Sequence, residues 1–247
     1  MTYSIRYFAV VYAVLCSLVV HGQDKNISVR TREARQALAQ EDFGRAEKLS
    51  LLVMQMSDPN DTPMGAWRVY AECRFRAGGY VEALKYFTQS VRPNSDDRVT
   101  LMQTISALES GDTGGHRFLG HLSLAEGWAK RLDIDEKAFP VLLQNKGEGT
   151  LAYSWLALSI LGKGQLSLDD AGRAEKYAPN NFAINWVQGV RLYELGKFRE
   201  ARAQFLKVSK SDFKKTADRA KVKITECDAK LKIKLLGGAP PPSFGSP

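Results

Sequence analysis

The chain has 247 residues, 44% of them hydrophobic, which is enough for the core of one large domain or two small ones. Its formal net charge is +8, but the excess is concentrated near the C-terminus. Ten lysines and arginines and four acids lie between Lys207 and Lys234, while residues 23–206 carry a net charge of about +1. A nearly neutral body with one basic end excludes a general polyanion binder, so we expect no nucleic-acid partner.

The first 22 residues have the layout of a secretory signal. An arginine precedes an apolar run of 14 residues at 7–20, and Val20 and Gly22 are small residues suited to cleavage before Gln23. The run is short for a bilayer span, which takes roughly 20 residues. We therefore predict that residues 1–22 are a signal peptide and that the protein is exported. The alternative is an uncleaved membrane anchor.

Beyond this segment, helix-forming stretches alternate with short turn clusters, and the period-two alternation of strands is missing. The stretches are about 12 to 18 residues long, which is typical of paired antiparallel helices. The sequence therefore predicts an all-α protein.

Two cysteines are too few for a disulfide framework and neither belongs to a metal-type pair, so Cys73 and Cys227 are predicted to be buried small apolar side chains. Asn26 and Asn60 begin sequons for N-glycosylation, which matter only in a eukaryotic secretory pathway.

Two stretches share one pattern. Residues 77–87 read AGGYVEALKYF and residues 195–205 read LGKFREARAQF, so a glycine, an aromatic residue, Glu-Ala and a phenylalanine recur at the same offsets. Together with a step of 34 residues elsewhere in the chain, this pattern resembles the tetratricopeptide repeat, a helix–turn–helix unit. The residues that carry the resemblance are Trp67, Ala71, Gly78, Tyr80, Ala83, Phe87 and Pro93, then Ala174 and Pro179, then Trp186, Gly189, Gly196, Phe198, Ala201 and Phe205.

The resemblance implies a right-handed helix–turn–helix solenoid over residues 28–214. Its clear units are 28–60, 64–95, 148–181 and 182–214, with a degenerate unit at 97–133. Small residues such as Ala83 and Ala201 let the two helices of a unit approach closely, and the bulky aromatics are expected to fill the space between units. One hairpin cannot bury its own apolar face, so stacked neighbours are required. The alternative is an ordinary helical bundle with a chance likeness.

Residues 213–235 predict a final amphipathic helix with lysines around a single apolar stripe. The stripe consists of Phe213, Ala217, Ala220, Ile224, Cys227, Leu231 and Leu235. We interpret it as a basic helix that caps the open end of the solenoid. The alternative is an electrostatic contact of its lysines with anionic lipid, cell-wall polymer or an acidic protein of the envelope. Residues 236–247, rich in proline and glycine, are predicted to be a disordered tail.

The sequence shows no phosphate-binding loop and no zinc or nucleophile motif, so we expect neither catalysis nor a cofactor or metal. The triplet that begins at Asp112 is similar to that of aspartic proteases, but without flanking strands it predicts a helix–helix turn. His116 and His121 lie five residues apart, on different faces of a helix, and no third ligand is evident. The competing hypothesis is a ligand-binding or enzymatic site within residues 97–147 that joins these three residues.

In tetratricopeptide proteins the first helices of the units line a concave groove. The resemblance assigns to this groove Thr31, Arg35 and Leu38 in the first unit, Arg68, Glu72, Phe75 and Arg76 in the second, and Trp186, Val190, Tyr193 and Glu194 in the last. Since Tyr, Trp and Arg are the usual anchors of protein interfaces, the expected partner is a peptide or protein. The alternative is that the aromatic residues pack between repeats and the arginines are solvated.

The expected function is therefore that of a non-catalytic adaptor or assembly scaffold outside the cytoplasm. The signal on such a repeat protein resembles bacterial export, which implies the periplasm or cell envelope. A further hypothesis is a scaffold tethered to the membrane through residues 7–20. The sequence predicts neither the identity of the partner nor an oligomeric state.

Overall fold

The structure is a computed structural model, and it describes residues 26–58, 62–90, 96–112 and 148–235. Within these ranges every regular element is an α-helix, as the sequence predicts. The helices are α1 (26–39), α2 (Phe43–Met56), α3 (Met64–Arg76), α4 (Tyr80–Ser90), α5 (Asp97–Glu109), α6 (Glu148–Leu161), α7 (Gly164–Tyr177), α8 (Phe182–Glu194), α9 (Phe198–Val208) and α10 (Lys214–Leu235). None of the helices described here has both the length and the apolar character needed to cross a membrane.

Several predicted features lie outside the described residues. They are the signal peptide at 1–22, the tail at 236–247, the histidines His116 and His121, and most of the second half of the degenerate unit at 97–133. The four clear units each coincide with one pair of helices: α1 and α2, α3 and α4, α6 and α7, and α8 and α9.

The chain divides into two compact units, Met1–Val99 and Thr100–Pro247. In the first unit, α2 packs on α3, and α3 packs on α4. In the second, α6 packs on α7, α7 on α8, α8 on α9 and α9 on α10, and α8 also touches α6. Helices within each unit thus pack on their neighbours in sequence, which is the arrangement of stacked hairpins.

The two copies of the sequence pattern form the same hairpin. The first helices α3 and α8 have 13 residues each, and the second helices α4 and α9 have 11 residues each. Gly78 and Gly196 occupy the same place in the connection, with φ of +82° and +72°, a left-handed conformation that favours glycine. Their amide nitrogens donate to the carbonyls of Phe75 and Tyr193, both at 3.0 Å. The repeated pattern therefore encodes one helix-ending turn.

The same turn ends two more helices. Between α1 and α2, Glu41 takes the place of the glycine with φ of +60°, and after α5 Gly111 takes it with φ of +89°. Each amide again donates to the carbonyl three residues earlier, at 3.0 Å and 3.1 Å. The turn predicted at Asp112 is therefore present as the end of α5. The connection between α6 and α7 is different, because its left-handed residue, Gly164, is already the first residue of α7.

Close approach of the helices rests on small residues, as the sequence predicts. Ala83 and Ala201 are fully buried, and a Cβ atom added to Gly189 would lie 2.7 Å from Cε1 of Phe205. Two of the large aromatic side chains expected between units contact aromatic rings of their own hairpins. Phe87 and Phe205 are buried against aromatic rings of their own hairpins, with ring centroids 6.4 Å and 5.4 Å apart.

Two consecutive first helices are buried on all sides. In α5 every residue from 101 to 107 is buried, and in α6 every residue from 149 to 160 is buried. In α6 most of the circumference is apolar, which suits such a place. In α5 the buried hydroxyls of Thr104 and Ser106 donate to backbone carbonyls of their own helix. The carboxylate of Glu109 joins α5 to both helices of the next hairpin, because it accepts hydrogen bonds from Nε1 of Trp155 and the hydroxyl of Tyr177.

The final helix α10 lies within one residue of its predicted bounds, and the described members of its predicted stripe are buried or half-buried. Ala217, Ala220 and Cys227 are buried, and Phe213, just before the helix, stacks on Phe182 of α8 with ring centroids 4.5 Å apart. The prediction for the cysteines is confirmed as well, since Cys73 and Cys227 are both buried and free of disulfides.

Candidate functional site

In the first unit, successive first helices meet along one charged surface, which we call the first-helix face. It is formed by Arg35 of α1, Arg68 and Glu72 of α3, and Asp96 and Arg98 at the start of α5. On α3, positions 65, 68 and 72 follow one another at spacings of three and four and therefore share a side of the helix. The neighbouring helices reach this side of α3 from both directions.

The strongest contact on this face is the ion pair between Glu72 and Arg98. Their closest atoms, Oε1 and Nη2, lie 2.6 Å apart, and the residue Glu72 is only 4% exposed. A charge-assisted hydrogen bond of this length compensates the carboxylate for its lost hydration. Without Arg98, the carboxylate would remain buried and unpaired, which is strongly unfavourable.

The second ion pair is more open. Nη2 of Arg68 lies 3.7 Å from Oδ2 of Asp96, and the two side chains are 42% and 61% exposed. Exposed pairs of this kind contribute little to stability and are screened by salt. The Arg68 guanidinium is therefore free to exchange its partner for another anion without a large cost to the fold.

The contact between successive first helices is repeated. Arg35 stands six residues before Glu41, the left-handed residue of the first turn, and Glu72 stands six residues before Gly78. Their contact partners are equivalent too, because Gly65 stands thirteen residues before Gly78 and Arg98 thirteen residues before Gly111. The Arg35 guanidinium lies against Gly65, where an added Cβ atom would be only 2.1 Å from its Nη2. The pairs Arg35–Gly65 and Glu72–Arg98 are thus the same contact with different side chains, and Gly65 leaves room for the larger one.

The structure corrects two of the predicted groove residues. Phe75 is fully buried and Trp186 is 3% exposed, so neither side chain can contact a partner. Phe75 packs on Tyr80 and Trp186 packs on Phe205, each within its own hairpin. The offsets of the repeat pattern place these aromatics correctly on the first helices but on the side that faces the second helix.

The remaining predicted residues are distributed over several environments. Tyr193 is half-buried, with its ring 5.2 Å from that of Phe198 and with Nζ of Lys223 5.1 Å from its centroid. Burial, and next the nearby Glu226 carboxylate, raise the pKa of Tyr193. The exposed Glu194 accepts a hydrogen bond from Arg191 at 2.7 Å.

Arg76 lies over the Phe75 ring at 5.5 Å, Thr31 is buried, and Leu38 and Val190 are half-buried. Among the predicted groove residues the exposed ones, Arg35 and Glu194, are polar, and Arg35 lies together with the half-buried Arg68 on the first-helix face.

The described residues show little reactive chemistry. Burial raises the pKa of the Cys73 thiol to about 12, which keeps it protonated and a poor nucleophile. The described part of the chain contains no group of histidines, cysteines or carboxylates that could hold a metal ion. The hypothesis of a site within residues 97–147 depends on His116 and His121, which lie outside the described residues.

Sequence reasoning missed Asp96 and Arg98, which complete the first-helix face. A signal for Arg98 is present in the sequence, because it stands thirteen residues before Gly111 as Gly65 stands thirteen residues before Gly78. A comparison of turns, rather than of whole repeats, would have placed Arg98 next to Glu72.

No family model, no curated protein and no solved structure matches the chain.

Proposed function

We propose that the chain is a right-handed, tetratricopeptide-like solenoid that binds an extended segment of another protein on its first-helix face. It acts as a non-catalytic adaptor or assembly scaffold and works outside the cytoplasm, in the periplasm or cell envelope. The observation that carries the proposal is the repeated contact between successive first helices, which leaves the charged side chains of Arg35 and Arg68 open to solvent.

The chemistry of this face is suited to a peptide. A guanidinium group presents several donors in a fixed plane and binds carboxylates and carbonyl oxygens in two-pronged fashion. Arg68 forms a weak, exposed ion pair with Asp96, whereas Glu72 and Arg98 form a closely held pair beside it. The face thus combines a rigid element with a side chain that can change partner.

The exposure of the other first helices supports a binding site in the first unit. Because α5 from residue 101 to 107 and α6 from 149 to 160 are buried on all sides, they offer no open surface of their own. In α8, Trp186 is buried and Tyr193 is partly covered by Lys223 of α10. Among the described first helices, α1 and α3 therefore offer the charged surface best suited to a partner.

Site-specific photo-cross-linking of the full-length protein tests the proposal. A photoreactive residue is placed at position 35 or 68, and the matched control is at position 81 of α4, where Val81 is 73% exposed. We expect the probes at positions 35 and 68 to give a cross-linked adduct of the same mass. The adduct of the probe at position 35 should be lost when Arg68→Glu is introduced into the same protein. The same adduct at position 81, or none at 35 and 68, contradicts the proposal. Tyr193→Ala is a poor probe, because its ring packs on Phe198.

Export is tested separately. We expect N-terminal sequencing of the protein from the envelope fraction to begin at Gln23. An intact N-terminus in the membrane fraction would instead favour the scaffold tethered through residues 7–20.

A further inference from the structure

The outward side of α10 carries a long row of cations. Its inward stripe is occupied, since Ala217, Ala220 and Cys227 are buried and the helix packs on α9. The exposed cations are Lys214, Lys215, Arg219, Lys221 and Lys232. Eighteen residues separate the first from the last, which corresponds to about 27 Å along a helix.

The acids of α10 are fewer than its cations. Asp218 pairs with Lys221 at 2.9 Å, Glu226 pairs with Lys223 at 2.7 Å, and Asp228 pairs with Arg202 of α9 at 2.6 Å. The helix contains eight cations and three acids, and one of those acids is bound to a cation of another helix. The helix as a whole therefore carries five more cations than acids.

The composition of the row argues against a protein partner. Seven of the eight cations of α10 are lysines, and the helix contains no aromatic residue. Among its described side chains, Val222 is the large hydrophobic residue that stands exposed, at 54%. Protein interfaces are depleted in lysine and enriched in aromatic residues and arginine. Helix α3 has the opposite composition, because its three cations, Arg68, Arg74 and Arg76, are all arginines.

A lysine ammonium is a hydrated point charge without the directional fork of a guanidinium. A row of such charges suits a diffuse anionic surface, which attracts each cation without needing a defined geometry. Each lysine or arginine near an acidic membrane adds roughly a factor of five to binding, and the attraction fades within a Debye length. Lys214, Lys221 and Lys232 stand seven and eleven residues apart, close to whole turns of the helix, so these three can approach a flat surface together.

We propose that the outward face of α10 binds the surface of a lipid bilayer that contains acidic phospholipids. The contact is electrostatic, with Val222 as the apolar side chain closest to the surface, and the inward stripe stays packed on the protein. This activity is separate from peptide binding on the first-helix face and does not depend on it.

Vesicle co-sedimentation of the full-length protein tests the proposal. One set of vesicles is pure phosphatidylcholine and the other contains 30% phosphatidylglycerol, so that any binding through the apolar run at 7–20 appears in both. The α10 variant combines Lys214→Gln, Lys221→Gln and Lys232→Gln. The matched control combines Arg45→Gln, Lys48→Gln and Lys85→Gln, which removes the same charge from exposed positions of α2 and α4.

We expect the wild type and the control to bind acidic vesicles much more tightly than neutral ones, and to release them as salt rises. The α10 variant should lose on the order of 100-fold in partitioning onto acidic vesicles, with an unchanged thermal unfolding curve. Equal partitioning onto the two kinds of vesicle, or an equal loss in the control, overturns the proposal. Tighter binding to polyglutamate than to vesicles of the same total charge overturns it in favour of an acidic polypeptide.

Discussion

At the scale of single residues, the contact of Gly189 with Phe205 shows how closely the helices of one hairpin approach. An added Cβ atom would lie 2.7 Å from the ring, and the ring is itself fully buried. We therefore expect Gly189→Ala to lower the free energy of unfolding by about 1–2 kcal/mol, because overpacking outweighs the better helix propensity of alanine. Urea unfolding followed by circular dichroism measures the change.

The matched control is the same substitution in α7. No atom lies within 4 Å of a Cβ atom added to Gly172, so Gly172→Ala should raise the free energy of unfolding by up to about 1 kcal/mol. Opposite signs for the two substitutions identify the close contact as the cause. A stabilising Gly189→Ala would mean that the two helices do not meet at this point.

The buried thiol of Cys73 predicts a dependence of stability on alkaline pH. Burial raises the pKa of Cys73 to about 12, from an ordinary value near 9, so the folded protein keeps a proton that the unfolded chain loses. Stability from this group is fully present below about pH 9 and is lost as the pH rises from there towards 12. The slope is at most about 1.4 kcal/mol per pH unit.

Urea unfolding of the wild type and of Cys73→Ala at several values between pH 7 and pH 10.5 measures this effect. Cys73→Ala should lower stability at pH 7 but flatten its decline above pH 9. Parallel declines in the two proteins would show that Cys73 does not carry the effect.

At the scale of elements, the recurring turn has different residues at its left-handed position, and their effect on stability can be tested. The left-handed residue is Gly78 or Gly196 in two hairpins but Glu41 between α1 and α2, where φ is +60°. A side chain in this conformation costs about 1–2 kcal/mol relative to glycine, part of which is offset by the flexibility of glycine in the unfolded chain. Glu41→Gly should therefore raise the free energy of unfolding by about 0.5–1 kcal/mol.

The reverse change completes the comparison. Gly196→Ala forces a Cβ atom into φ of +72° and, with the same offset, should lower the free energy of unfolding by about 0.5–1 kcal/mol. Thermal unfolding of both variants reports the signs. If Glu41→Gly destabilises the protein, the side chain of Glu41 has a stabilising role that its backbone angle does not reveal.

The hairpins were predictable from the sequence because each of their parts has a local cause. A left-handed glycine ends the first helix, and a small residue such as Ala83 or Ala201 allows the second helix to pack closely. Those requirements act within one hairpin, so a single pattern reveals them. They explain why the bounds of α3, α4, α8 and α9 follow the repeated motif.

The exposure of side chains was less predictable because it depends on neighbours. Phe75 and Tyr193 take equivalent places in their hairpins, yet Phe75 is fully buried and Tyr193 only half-buried. The pattern does not state which helix covers a given side, and so it did not predict the pairing of Glu72 with Arg98. The burial of α6 had a signal of its own, since LAYSWLALSIL is apolar around the whole helix.

At the scale of the whole molecule, each helix packs mainly on the helices next to it in the chain. We therefore predict that a destabilising substitution affects only the helices near it. In repeat architectures each hairpin is stabilised by itself and by the next one, so a defect spreads over short distances. We expect Gly189→Ala to increase deuterium uptake in α8, α9 and α10, which pack in succession, while α3 and α4 keep their protection. Gly78→Ala, which strains the turn between α3 and α4, should have the reverse effect.

Hydrogen exchange followed by mass spectrometry of peptic fragments reads both variants helix by helix. Uptake has to be compared at a urea concentration below the unfolding transition, where partial openings dominate over global unfolding. A uniform rise in uptake across all the described helices would show a single cooperative unit and contradict the prediction. Two separate patterns would instead mean that Met1–Val99 and Thr100–Pro247 open independently, so that a partner bound to α1 and α3 could protect the first unit alone.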